Sequence, residues 1–122
     1  MSVEKFLLLK TDGSFSAVDV DCSDMLHSFY RLIGPSCDCI ETVYLVIGGK
    51  NFLALVDESG LFHDLQINPI ASALYPGSVF GSPIVGNVIL GSTGYRDGEP
   101  DIIGLSPDEL RFLSSSLSIL ST

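Results

Sequence analysis

Apolar and polar positions are most regularly patterned between residues 40 and 68, IETVYLVIGGKNFLALVDESGLFHDLQIN. Val43, Leu45 and Ile47 share one side of a period-two pattern, and Tyr44 and Val46 share the other. Gly48-Gly49-Lys50-Asn51 breaks the run, after which Phe52, Ala54 and Val56 alternate with Leu53 and Leu55. Apolar residues on both faces mark a hairpin that is central in a sheet, or that lays one face on another subunit. Asp57-Glu58-Ser59-Gly60 has type I turn chemistry, and Leu61 and Phe62 are expected to return to the sheet.

The same reading extends outward in both directions. Residues 3–10 and 15–20 flank Thr11-Asp12-Gly13-Ser14, an Asp-Gly hairpin signal in which both central positions tolerate positive φ. Leu26, Phe29, Tyr30 and Ile33 form a helical stripe capped by Asp21 or Ser23 and stopped by Gly34-Pro35. Asn68-Pro69 starts a short helix over 69–75, with Asn68 supplying the capping oxygen. The Gly/Pro-rich segment to Pro83, carrying Val79 and Phe80, reads as a loop. Residues 84–90 read as a strand with a bulge or close approach at Gly86-Asn87, and 91–100 as a polar loop. Ile102-Ile103 is expected to rejoin the sheet, and Ser106-Pro107-Asp108-Glu109 is a capping box opening a helix from 107 to about 118. The expected fold is one α+β domain over 1–122. It has an antiparallel or mixed sheet of about five or six strands, with helices near 24–33, 69–75 and 107–118 on one face.

Composition adds an oligomer to this picture. Hydrophobic residues make up 46% of the 122 positions and charged residues only 17%. A domain this small leaves much of its chain outside, so part of that apolar surplus is expected in a homo-oligomeric interface. Fifteen acidic against six basic residues give a net charge of −9. That balance argues against duplex nucleic acid or an anionic membrane as a partner, since both need a basic footprint. No apolar run reaches the ~20 residues of a membrane span, and no apolar leader follows a basic start, so a cytoplasmic location is expected. Cys22, Cys37 and Cys39 are an odd set without a secretory signal and are read as reduced thiols.

The chemistry-bearing residues are sparse. Cys37-Asp38-Cys39 is one closely spaced pair, and Cys22, His27 and His63 supply no second Cys or His pair, so they make no metal-ligand set; neither metal nor cofactor is expected. An acid–base role for His27 or His63 would need a surrounding motif, and no nucleophile elbow, zinc-protease, phosphate-loop or dinucleotide pattern occurs. The segment 91–100 differs in kind. Ser92, Thr93 and the glycine backbone offer hydrogen bonds to an anion, Tyr95 a stacking surface and Arg96 a phosphate partner, with Arg31 a further cation. An ordinary solvated loop has the same composition. Asn68, Gly60, Gly86 and Ser106 are read as structural.

The order Glu58-Ser59-Gly60, Asn68-Pro69-Ile70-Ala71, Gly86-Asn87-Val88 and finally Leu105-Ser106-Pro107-Asp108-Glu109 is similar to a domain family of unknown function in short proteins of bacteriophages, plasmids and actinobacteria. The resemblance covers about residues 30–112. It implies a mobile-element protein without assigned catalytic residues. Small phage proteins of this size and oligomeric habit include counter-defence sponges, so the leading expectation is a non-enzymatic homo-oligomer that sequesters a nucleotide-type immune signal, such as a cyclic nucleotide. The alternative is an acidic inhibitor that mimics DNA in a host nucleic-acid-processing enzyme. An enzyme reading would depend on His27, His63 or a cysteine.

Overall fold

The computed structural model describes residues 2–35, 37–60, 64–76 and 83–120. Six strands form one antiparallel sheet: β1 (Val3–Leu9), β2 (Phe15–Asp21), β3 (Ile40–Ile47), β4 (Lys50–Asp57), β5 (Val88–Arg96) and β6 (Glu99–Ile103). The order across the sheet is β2-β1-β5-β4-β3, with β6 paired to β5. Three helices complete the domain: α1 (Met25–Ile33), α2 (Pro69–Leu74) and α3 (Pro107–Leu120). The α+β class, the sheet and the three helices agree with the sequence expectation.

The helices do not share one face, and this corrects the expected arrangement. Leu7, Leu9, Leu45, Phe52, Ala54, Val88 and Leu90 point to the side covered by Ile70 and Ala71 of α2 and by Leu113 and Leu117 of α3. Phe6, Leu8, Leu53, Leu55 and Ile89 point to the other side, where Phe29 and Ile33 of α1 lie. Phe6 meets Phe29 edge to face at 5.2 Å between ring centroids. The double-sided apolar pattern of the strands is thus largely satisfied within the chain, by α1, where a subunit contact was one of the alternatives.

Local chemistry accounts for most element boundaries. Asp21 accepts from Ser23 N–H at 2.9 Å and starts a single 3-10 turn ahead of α1. Asn68 caps α2 by accepting from Ala71 N–H at 3.1 Å, and its amide donates to the carbonyls of Leu9 and Gly86, both at 3.0 Å. Fully buried, it ties α2 to β1 and to the segment entering β5. At the start of α3, Ser106 N–H donates to Glu109 and Glu109 N–H donates to Ser106 Oγ, the reciprocal box expected from the sequence.

Two boundaries differ from expectation. The strand expected at 84–90 begins only at Val88; before it, Val85 makes a single bridge to Ile67, and Gly86 takes φ +80° with the Leu65 side chain against it. The expected loop at 91–100 is a hairpin instead, Ser92 through Arg96 pairing with Ile103 through Glu99. Asp97 (φ +53°) and Gly98 (φ +81°) turn it, an Asp-Gly pair of the type that closes tight hairpins. In the first hairpin only Gly13 has positive φ. Leu61, Phe62 and His63 and the Val79-Phe80 segment lie outside the described residues. Among the described residues, no helix is long and apolar enough to cross a membrane.

Candidate functional site

Arg96, the cation expected to hold an anion, is the centre of an internal network. Its guanidinium donates to both carboxylate oxygens of Glu4 (2.9 and 3.0 Å), to Asp101 (3.2 Å) and to the Ile102 carbonyl (2.9 Å). Glu4 also accepts from Gly104 N–H at 2.7 Å and from the Cys22 thiol. These bonds hold the Glu4 carboxyl well below its ordinary value of 4.5, at about 2, the Arg96 hydrogen bond being the largest cause. Arg96 is raised in turn, its bond to Glu4 being the main reason. The network fastens β6 and the turn after it to the first strand, where Leu105 N–H also donates to the Lys5 carbonyl at 2.7 Å.

The other residues expected around a ligand are dispersed. Ser92 Oγ donates to Glu109 at 2.8 Å, joining β5 to the cap of α3. Thr93 is exposed, and Tyr95 is 74% exposed near the hairpin tip. Tyr95 and Arg96 do border one shallow hollow of about 590 Å³, with Glu4, Lys5, Ser106 and Glu109 around it. Its cations are engaged, Arg96 as above and Lys5 with Asp19 at 2.6 Å. Arg31 is exposed on α1, two positions from both Phe29 and Ile33, so it points away from the sheet and does not join the hollow. Gly60, Gly86, Asn68 and Ser106 hold the structural places expected of them; at Gly60 a Cβ would lie 2.6 Å from Val85.

A second feature was not legible as a site in the sequence. α1 lies against β2, β5 and part of β4, with Phe29 on Phe6 of β1, but stops short of β3, which leaves a groove of about 520 Å³ between the helix and the sheet. Leu26, Phe29 and Tyr30 form its helical wall, Thr42, Tyr44 and Leu53 part of its floor, and Pro100 to Ile102 of β6 its end. β6 lies this close because Gly91 has no side chain: a Cβ there would stand 2.7 Å from Ile102 and 2.9 Å from Phe6. Tyr44 is 54% exposed and Leu26 61% exposed, large apolar groups held open beside buried ones. The Thr42 and Tyr44 hydroxyls make no hydrogen bond within the described residues and are open to a ligand. Among the described residues Asp101 is the one charged group on the lining, and it already accepts from Arg96 and from Ile102 N–H.

Both thiols near the groove are pushed above the ordinary thiol range. Glu58 accepts the Cys39 thiol hydrogen, and this bond is the first cause of its raised pKa. Cys37 is raised mainly by burial, with the Asp57 charge adding to it. His27 stands on the exposed side of α1 beside Asp24, and His63 lies outside the described residues. Among the described residues no three His, Cys, Asp or Glu side chains converge as a metal set. No family model, curated protein or solved structure matches the chain. Fold and groove together define a class: a six-stranded α+β domain with an aromatic-walled, nearly uncharged groove on one sheet face.

Proposed function

We propose that this chain is a non-enzymatic, self-associating binding protein that takes up a small molecule by a planar, ring-bearing group laid in the groove between α1 and β3–β4. The observation that carries this reading is the groove itself. Its volume falls in the range of small-molecule sites, its walls are apolar and aromatic, and two unengaged hydroxyls can fix orientation. A nucleotide-type immune signal, the ligand class expected from the sequence, belongs to this class through its base. Its phosphates gain nothing here, because Arg96 is bound to Glu4 and no cation lines the groove among the described residues.

Isothermal titration with nucleosides and the matching cyclic nucleotides tests the reading. The expected result is that a nucleoside and its cyclic nucleotide bind comparably, with the nucleotide favoured as salt rises and the repulsion of a −9 chain is screened. Tyr44→Ala and Leu26→Asp should abolish the heat, and the ligand should be released intact on denaturation. Absence of heat with every ring-bearing probe, or recovery of a converted ligand, would remove the proposal.

A further inference from the structure

The two strands that end the path across the sheet, β2 and β3, are unlike. β2 carries Asp19 and Asp21 on its seven residues, charges that discourage another strand from adding to it. β3, the opposite edge, is IETVYLVI, eight residues with Glu41 as the one charge and neither lysine nor proline. Its pairing with β4 has a fixed parity. Ile47 lies opposite Lys50 across the two-residue Gly48-Gly49 turn, and at the far end Glu58 N–H donates to the Cys39 carbonyl at 2.9 Å. Odd-numbered residues therefore exchange hydrogen bonds with β4, and the N–H and C=O groups of Ile40, Thr42, Tyr44 and Val46 face outward. Among the described residues nothing pairs with them.

We infer that β3 is the interface of a two-fold dimer, pairing antiparallel with the β3 of a second copy to make one continuous sheet. A second copy is the occupant the edge fits, for reasons of charge and register. On a chain of net charge −9, β3 carries one acidic residue where β2 and β6 carry two each, so of these strands it is the one on which a like-charged copy meets least repulsion. With Val43 on the two-fold axis, Thr42 faces the partner's Tyr44 and Ile40 faces the partner's Val46, so every outward backbone group finds a mate. Glu41 then lies opposite the partner's Leu45, and no like charges meet. A two-fold axis through an antiparallel pair stands perpendicular to the sheet, so both α1 helices lie on the same side. The half-exposed Tyr44 side chains of the two copies then adjoin across the seam, each Val46 lies beside the partner's Ile40, and each groove gains its missing wall from the partner. That last step rests on the groove being the binding site; the dimer itself does not.

Sedimentation velocity of the wild-type chain and of Thr42→Pro tests the inference. Proline at 42 removes only an outward N–H, so the β3–β4 ladder survives while the seam loses a hydrogen bond twice over. The expected result is a wild-type mass twice that of the chain, and a dimer dissociation constant at least ~10-fold weaker in Thr42→Pro with unchanged far-ultraviolet circular dichroism. Should Thr42→Pro misfold, Tyr44→Lys decides instead, because Tyr44, 54% exposed, lies diagonally across the axis from its own copy and the exchange sets two like charges near each other at the seam. A wild-type chain that stays monomeric at about 100 µM, a concentration that reveals even weak pairs, overturns the dimer. A dimer indifferent to both substitutions overturns its location. A dimer that forms but binds no ring-bearing probe leaves the interface standing and removes only the groove reading.

Discussion

Glu4 shows how the acidic surplus is used at single residues. Its folded-state pKa is depressed, so the Arg96 network stabilises fully above the ordinary value of 4.5 and is lost as pH falls toward about 2. Glu4→Gln should cost about 2 kcal/mol at pH 7, and the difference from wild type should vanish near pH 2; urea denaturation at both pH values reads it. An equal deficit at both would show that packing, not the ion pair, is lost. Asp12, Asp21 and Asp57 likewise accept backbone N–H groups two residues ahead, shaping turns. Carboxylates spent this way take weight from the DNA-mimic alternative. Glu58→Gln should speed alkylation of Cys39 at pH 8, because the carboxylate that holds the proton on the thiol is gone. Asn68→Ala should cost about 3 kcal/mol in urea denaturation, since it removes a cap and strands two buried carbonyls.

At the scale of elements, the helices were legible because each carries its own stop and start chemistry within a few residues. Asp21, Asn68 and the Ser106–Glu109 box act on backbone groups no more than three positions away. The β5–β6 hairpin was missed although Asp97-Gly98 is the same kind of signal as Asp12-Gly13. Its strands contain Gly94 and Pro100 and only a weak apolar alternation, and pairing, not burial, defines them. Gly91 is the place where this hairpin meets the core. Gly91→Ala should push Ile102 outward, lower the melting temperature and shift the Ile102 methyl resonances; unchanged Ile102 signals would show that the close approach is not tight. Phe29→Ala should cost about 3–4 kcal/mol, because α1 closes this face through few large side chains.

For the whole molecule, hydrogen exchange should rank the strands by their neighbours. Amides of β1, β5 and β4 exchange slowest, and the outward amides of Ile40, Thr42, Tyr44 and Val46 are slow only at concentrations where the dimer forms. Fast exchange there at every concentration would leave β3 a bare edge. Local order, then, was determined by the sequence alone: the first two hairpins, the three helices and the α+β class follow from period, caps and turn residues. The candidate site was not, since Arg96 looks free beside its neighbours in the chain and meets Glu4 across 92 positions. Which helix covers which face, where α1 stops short of β3, and which edge stays open were decided by tertiary structure. The physical reason is range: capping and turn bonds act over three or four residues, whereas ion pairing and burial join whatever the topology brings together.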